Sequence, residues 1–514
     1  MLRISLFLSL VLLFACQSTA PNTQKLSQAT TAELVVLQIN DVYEIGALEG
    51  GKVGGLARVA TLRNQLMQEH DQVITVLSGD FLNPSALGLA KVNGRRLRGA
   101  QMIDILNRMG LDYATFGNHE FDLGEDDLQS RINESAFAWI SSNTFHNATL
   151  ANGSKQVEPF ILQGKMAQPV MPYDIIRLPV AGQPDVRIGM LGVCLPFNKK
   201  DYVSYHDVIK STKLTYDYIA DKTDAVIAMT HLNLPEDQDL ARAMPEVPLL
   251  MGGHEHENHI EKIGPVTIAK ADANAKSAYV HYLSFDIPSK KLSIRSELHP
   301  LTYDKVKPDI KIEEVVKRWE TKVYNELKSQ GFDPDEVVFN AKEPLDGLEL
   351  HIRTQPTNLG ELVANSALVA APKAQAVIVN SGGIRIDDKV QGPVTQYDVM
   401  RILPYGGKMV EMDISGELLA KVLRIGLRDN IGRGGYLQTA GIEDRDGKFY
   451  VDGRPVQKGQ NFTILCGGFL FSGRETNFGF FKPGVAGVSA VREPGPDDIL
   501  RDIRLAVIEY MKGM

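Results

Sequence analysis

Cysteine is scarce. Three occur in 514 residues, Cys16, Cys194 and Cys466, too few for a disulfide framework and without zinc-ribbon spacing. Basic charge is not in excess either: 55 Lys and Arg face 63 Asp and Glu, a formal net charge of −8. That balance argues against a dedicated binder of nucleic-acid duplexes and leaves room for a small anionic ligand. No internal repeat or sizeable low-complexity tract interrupts the chain. What remains is ordinary globular composition, 44% hydrophobic and 23% charged, which excludes wholesale disorder, a collagen-like chain and a polytopic membrane protein. At about 150 residues per domain the length suggests two to four domains.

The N-terminus reads as a targeting segment. Arg3 precedes a nearly continuous apolar stretch from Ile4 to Ala15, too short to span a bilayer comfortably but matching a secretory h-region. It ends Leu13-Phe14-Ala15-Cys16, similar to a bacterial lipobox, whereas the competing cleavage site Ser18-Thr19-Ala20 is followed by an unfavourable Pro21. The expectation is a lipoprotein signal peptide over 1–15 and lipidation at Cys16. Residues 16–31 are expected to form a Ser/Thr/Gln-rich tether. Gln17 lacks the Asp that favours inner-membrane retention, so the expected place is the envelope, at the periplasmic side of an outer membrane. Simple secretion or a soluble periplasmic form is the alternative. Cys194 and Cys466 both sit in apolar runs and read as two buried thiols, with a disulfide between them as the alternative.

Short apolar runs then follow one another: Leu34 to Ile39, Val73 to Leu77, Tyr113 to Phe116, Phe137 to Ile140, Val186 to Val193, Ala225 to Met229 and Val247 to Met251. Bounded by Gly, Asn and Asp, they predict buried strands. Helical patterns such as Leu56 to Gln68 and Gln101 to Met109 intervene, giving an α/β layered domain. The polar residues gather where the runs end: Asn40-Asp41, Gly79-Asp80, Gly117-Asn118-His119-Glu120, His231 and Gly253-His254-Glu255-His256. Loops beyond strand C-termini are where α/β folds carry their sites. Five such loops dominated by Asp, Asn and His are hard to attribute to isolated structural polar groups. That donor set suits Zn, Mn, Fe, Co or Ni. A pair of such ions needs a bridging carboxylate, a role Asp80 at its sharp Gly-Asp turn can fill.

Pro308 to Gln330 predicts one amphipathic helix, with Ile312, Val316, Trp319, Val323 and Leu327 on one stripe. It is a natural connector (301–335) between a first domain, 32–300, and a second α/β domain, 336–514, although packing on either domain is equally compatible.

The order Asn40-Asp41, Ser78-Gly79-Asp80, Gly117-Asn118-His119-Glu120-Phe121-Asp122, Thr230-His231 and Gly252-Gly253-His254-Glu255-His256 resembles the calcineurin-like metallophosphoesterases. Within them it is similar to the 5′-nucleotidase/UDP-sugar hydrolase/2′,3′-cyclic phosphodiesterase family. The resemblance implies a layered α/β-β-α sandwich joined to a second α/β substrate-binding domain, and two divalent metal ions. Asp41 and His256 would hold the first ion, Asp80 would bridge, and Asn118, His231 and His254 would hold the second. His119 and Asp122 would form a catalytic dyad that stabilises the phosphoryl transition state and protonates the leaving group, while a metal-bound water attacks phosphorus. One position departs from the family pattern: Tyr43 stands where a histidine ligand is usual. The alternatives are coordination by Tyr43 as phenolate, replacement by water or Glu44, a weakened first site, or a tyrosine that simply packs in the core.

In the second half, Asn358-Leu359-Gly360-Glu361-Leu362, Asn380-Ser381-Gly382-Gly383-Ile384-Arg385 and Leu403-Pro404-Tyr405-Gly406-Gly407 resemble the substrate-binding domain of the same family. The resemblance implies that Arg353 and Arg385 bind anionic oxygens, that Asn380 contacts ligand, and that two aromatic rings clamp a nucleobase. Tyr405 takes the first position. Phe478, with Phe480 and Phe471 as rivals, takes the second in an altered loop. Rotation of one domain against the other would bring substrate to the metals. The implied activity is metal-dependent removal of phosphate from nucleotides. The same site on 2′,3′-cyclic nucleotides or UDP-sugars is the nearest alternative, and a related sulfur-compound hydrolase a more distant one. From another class comes a noncatalytic envelope nucleotide-binding protein on a degenerate fold, which the intact His119 and Asp122 oppose.

Overall fold

The computed structural model describes residues 30–162 and 168–514. The expected signal peptide, Cys16 and nearly all of the expected tether lie outside the described residues.

The first domain begins with β1 (Thr31–Ile39), α1 (Leu56–Glu69), β2 (Val73–Ser78), α2 (Ala100–Met109), β3 (Tyr113–Thr115) and β4 (Ala138–Trp139). It continues with β5 (Tyr173–Leu178), β6 (Val186–Cys194), α3 (Val208–Ile219), β7 (Ala225–His231), α4 (Leu234–Ala243), β8 (Leu249–Gly252), β9 (His259–Ile263) and β10 (Val266–Lys270). The long hairpin β11 (Ser277–Asp286) and β12 (Lys291–Pro300) closes it. Two six-stranded sheets result, in the orders β12-β11-β1-β2-β3-β4 and β5-β6-β7-β8-β10-β9. β1 to β4 are mutually parallel, as are β6, β7, β8 and β10, so each sheet has a parallel body with antiparallel strands at an edge. A dry layer between the sheets contains Val36 and Val76 from one and Met190, Ile227, Met229 and Met251 from the other. Burial on both faces explains why these strands are continuous apolar runs rather than alternating ones. Helices cover the outer faces, which completes the layered sandwich. The hairpin of β11 and β12 is not among the expected strands.

The helix expected over 308–330 is α5 (Ile310–Ser329), capped by the Asp309 carboxylate accepting from the Ile312 amide. It buries Ile312, Val315, Val316, Val323 and Leu327, and Trp319 Nε1 donates to Asp104 Oδ2 on α2 at 2.9 Å. It is therefore packed on the first domain, while the Tyr324 ring meets Tyr397 of the second at a centroid distance of 5.3 Å.

The second domain holds α6 (Asn358–Ala370), β13 (Ala376–Asn380), β14 (Met409–Ser415), α7 (Gly416–Arg424), β15 (Leu437–Ala440), β16 (Asn461–Gly467), β17 (Val488–Arg492) and α8 (Ile503–Lys512). Its five-stranded sheet runs β15-β13-β16-β14-β17. Cys194 and Cys466 are buried free thiols, one in each domain. Polar contacts tie the domains together beside the strand-end loops: Tyr397 Oη donates to Glu44 at 2.7 Å, Lys276 to Asp388 at 2.5 Å and Lys389 to Glu257 at 2.7 Å. Among the described residues, no helix is long and apolar enough to cross a membrane.

Candidate active site

The parallel strands of both sheets deliver the site. Asp41 follows β1, Asp80 follows β2, Asn118 and His119 follow β3, His231 ends β7, and His254 follows β8. Each loop turns sharply at the strand end. Asp41, Asp80 and His254 have φ of 53°, 57° and 86°, a left-handed backbone that non-glycine residues adopt at a cost. Three such residues at neighbouring strand ends mark a functional centre rather than three independent defects. The glycine beside them has a steric reason: a Cβ on Gly117 would lie 2.1 Å from Asp80 Oδ1.

Side chains from five loops converge. One ligand atom from each of Asp80, His231 and His254 lies within 4.8 Å of the others. Asp41 Oδ1 is 3.9 Å from His231 Nε2 and 3.5 Å from His256 Nε2. The backbone fixes two of the rings. His231 Nδ1 donates to the Ser78 carbonyl at 2.8 Å and His256 Nδ1 to the Asp387 carbonyl at 2.6 Å, and a carbonyl can only accept. Both Nε2 atoms consequently face the carboxylates. His231 Nε2 sits 3.1 Å from Asp80 Oδ2 but off the line of a hydrogen bond. Asn118 Oδ1 is also buried with no hydrogen-bond partner among the described residues. Buried carboxylates, the unpaired His231 Nε2 and an orphaned amide oxygen form a donor set that suits a cation. The residues present fit divalent metal ions.

In the metal-free chain, imidazolium supplies part of that charge. Burial opposes protonation of His231, but the Asp80 and Asp41 carboxylates override it and raise its pKa to about 9. His254, buried and facing that cation, is lowered to about 3. Asp41 is held well below the carboxylate range: burial acts to raise it, and His231 and His256 prevail.

Tyr43 enters this cluster rather than the general core. Its hydroxyl is 3.0 Å from His256 Nε2, 3.2 Å from Asp80 Oδ2 and 3.5 Å from Asp41 Oδ1. Burial, then the charges of Asp80 and Asp41, push the phenol well above its usual pKa. Glu44 turns away, accepting from Tyr397 and lying 3.6 Å from Arg401 Nε. It does not take the vacant ligand position.

The dyad is formed: His119 Nδ1 lies 2.8 Å from Asp122 Oδ2. Burial would lower His119, but Asp80 and Asp122 bring its pKa above the ordinary value. Asp122 is lowered to about 2, with burial opposed by the charge and hydrogen bond of His119. Asn83 and Asn198 each donate to one Asp122 oxygen, at 2.9 and 2.8 Å. Glu120 accepts from the amides of Asp80, Phe81, Leu82 and Gly117 at 2.6–3.1 Å, clamping two ligand loops to each other. Asn83, Asn198 and Asp387 escape sequence reading because their partners are distant in the chain and no fixed spacing marks them, and Glu120 is visible there only as part of its motif, without this role.

A cleft of about 470 Å³ opens beside the cluster, lined by Asp80, Asn118, His119, His254 and His256 on one side and Glu349, Arg353 and Asp387 on the other, with Phe197, Leu348 and Leu350 as its apolar part. Arg385 reaches the dyad, with Nη2 3.5 Å from His119 Nδ1 and 3.6 Å from Asp122 Oδ2. Arg353 lines the cleft, but Asn380, Tyr405 and Phe478 are not brought to it. Asn380 Nδ2 donates to Glu475 at 2.7 Å. Tyr405 is 55% exposed on its turn and does not line the cleft. Phe478 is corrected: its ring is 0% exposed and packed in the second domain's core with Phe471 and Phe481. A Phe-rich apolar run supplied core where a stacking face was expected.

Residues 34–258 match the family model for the calcineurin-like phosphoesterase, and residues 337–482 that for the 5′-nucleotidase C-terminal domain. The chain joins these two family domains in one polypeptide. It is thus a 5′-nucleotidase-like member of the metallophosphoesterases. Among its relatives is the trifunctional nucleotide phosphoesterase protein YfkN of Bacillus subtilis, 26% identical over 446 residues, covering 80% of this chain but only 29% of that much longer protein. A 5′-nucleotidase of Vibrio parahaemolyticus is 25% identical over 472 residues, covering 81% and 78% of the two chains. The structure of a 5′-nucleotidase precursor from Thermus thermophilus superposes with a TM-score of 0.67 at 21% identity, covering 94% of this chain and 96% of that one, which establishes a shared two-domain fold.

Proposed function

We propose that the protein is a metal-dependent phosphohydrolase that removes phosphate from nucleotides. The observation that carries this reading is the meeting of Asp80, His231 and His254 donor atoms within 4.8 Å, with Asp41 and His256 against them, next to the His119–Asp122 pair. Asp41 and His256 would hold one divalent ion, Asn118, His231 and His254 a second, and Asp80 would lie between them. When bound, such ions supply positive charge to the phosphoryl oxygens and make a nucleophile available at neutral pH. The Tyr43 hydroxyl occupies the first ion's side and would leave that site the weaker of the two.

The chain's own residues do the rest. His119, kept protonated by Asp122, donates to the phosphoryl or leaving-group oxygen. Arg385, within 3.6 Å of the dyad, neutralises phosphoryl charge from the second domain's side. Arg353 on the cleft wall would contact the leaving group, and Asn380 and Tyr405 would join it only if the domains rotate. The apolar side chains of Phe197 and Leu350 offer a wall for the uncharged part of a nucleoside. Hydrolysis of 2′,3′-cyclic nucleotides would use the same groups. The leader and Cys16 support an envelope location, with a lipid anchor keeping the enzyme where impermeant nucleotides are dephosphorylated.

The test is phosphate release from nucleoside monophosphates and 2′,3′-cyclic nucleotides by protein reloaded with Zn, Mn, Co, Fe or Ni. Activity should appear with at least one ion and fall by about 100- to 10,000-fold in His119→Ala, the usual worth of a general acid. A folded His119→Ala protein with undiminished turnover would refute the mechanism. Absence of divalent-ion binding would leave only a binding protein.

A further inference from the structure

The arginines that face the dyad are already engaged by the protein. Glu349 sits on a short helical turn of the second domain, and its backbone N–H donates to Asp387 Oδ1 at 2.5 Å. Its carboxylate bridges the two guanidinium groups: one oxygen contacts Arg353 Nη1, and the other lies 3.2 Å from Arg385 Nη1. Arg385 is in turn shared with Asp122. The remaining cleft cation, Lys389, is paired with Glu257 at 2.7 Å. Side chains of Glu349 and Arg353 are 26% and 14% exposed, so this pair is only partly screened by water. Beyond the metal cluster the cleft therefore offers carboxylates and satisfied cations, not a free cationic receptor.

We infer that Glu349 is a specificity-determining residue: its carboxylate fills the arginine fork that would otherwise receive a second anionic group, restricting the site to phosphoesters whose leaving group carries no further phosphate or carboxylate. This rests on the phosphohydrolase reading above and narrows its substrate class. A nucleoside monophosphate places its one phosphoryl group at the cluster and presents an uncharged nucleoside to the cleft. When the terminal phosphate of a diphosphate, or the bridging phosphate of a sugar nucleotide, sits at the cluster, a second charged phosphate must lie near Glu349. Two anions there repel, and displacing Glu349 would break both of its arginine pairs. Sequence could not supply this, since Glu349 reads as an ordinary surface acid until the fold sets it between Arg353 and Arg385.

The experiment compares kcat/KM for AMP and ADP in the metal-loaded wild type, Glu349→Gln and Glu349→Asp. It is paired with calorimetric titration of the same proteins with inorganic phosphate and with pyrophosphate. Wild type should favour AMP by at least about tenfold, Glu349→Gln should raise the ADP-to-AMP ratio by about tenfold as one like charge is removed from a partly buried site, and Glu349→Asp should keep the wild-type preference. Pyrophosphate should bind Glu349→Gln about tenfold more tightly than wild type, with a smaller change for phosphate. An ADP-to-AMP ratio unchanged within about twofold in Glu349→Gln, or equal use of both by wild type, would overturn the inference. If wild type hydrolyses neither compound, the phosphohydrolase reading fails by itself. The pyrophosphate titration still decides whether Glu349 guards the arginines, and unaltered affinity in Glu349→Gln would refute that.

Discussion

Replacing Asp122 by Asn tests the catalytic pair through its pH dependence. The substitution keeps the shape of the side chain and removes its charge, 2.8 Å from His119 Nδ1. Two effects follow from the contacts. First, both Asp122 oxygens accept from amide donors, Asn83 and Asn198, so one of them meets an NH2 group in the variant, a mismatch of about 1–3 kcal/mol. Second, His119 loses a charge that holds its pKa above the ordinary value against burial. Asp80 also raises His119, but with cations at the cluster that charge is compensated, and Asp122 becomes the principal group keeping the ring protonated. An opposite charge at this range is worth about 1–3 pKa units. The sign is fixed by the proposed role: His119 would act in its protonated form, so lowering its pKa would move the alkaline limb of kcat/KM to lower pH. At about pH 8 the variant should be slower by about 10- to 1,000-fold, and the deficit should shrink as the pH falls toward 5.5. The assay is phosphate release from a nucleoside monophosphate across that range at saturating metal. A deficit of equal size at every pH, or a limb displaced upward, would show that Asp122 does not act by sustaining the His119 cation.

Two further outcomes follow from geometry away from the dyad. Gly117→Ala puts a Cβ 2.1 Å from Asp80 Oδ1, so the carboxylate must leave its place. Divalent-ion affinity, measured by titration with metal analysis, should weaken by about 10- to 100-fold, while Gly124→Ala, whose Cβ meets nothing within 4 Å, should bind as wild type does; equal affinity of both variants would refute the steric argument. His281 is 0% exposed, held between Ser296 Oγ at 2.7 Å and Gln38 Oε1 at 2.8 Å, with burial lowering its pKa to about 3. Because the folded pKa is depressed, its contribution is complete above the unfolded value near 6.5 and is lost as pH falls from there toward 3, at about 1.4 kcal/mol per unit. Between about pH 6.5 and 5 the wild type should therefore lose about 2 kcal/mol more than His281→Gln in urea unfolding, and parallel slopes would refute the assignment.

The legibility of this chain divides by the range of the interactions. The parallel strands were readable because burial on both faces leaves long apolar runs, and the candidate ligand loops because Asp41, Asp80, Asn118, His231 and His254 lie two or three residues past where those runs stop. There a local signal suffices: polar residues and glycines at the C-terminal end of a buried strand have few structural uses. The second domain behaves otherwise. Its ligand-facing groups depend on which aromatic is covered by which strand, and Phe478 shows that an apolar run does not reveal whether a ring is core or cleft. Tyr43 was visible as a departure, but only the fold shows its hydroxyl shared among His256, Asp80 and Asp41, and only the fold turns Glu44 toward Tyr397 and Arg401 instead. The same reasoning separates catalysis from selectivity. The groups proposed to hold phosphate come from short strand-end motifs and would have to stay in one fixed geometry. The groups that would meet the leaving group, Glu349, Arg353 and Arg385, lie in the other domain, where under this proposal a single exchanged charge would alter which substrate fits without disturbing the sheets that would carry the metals.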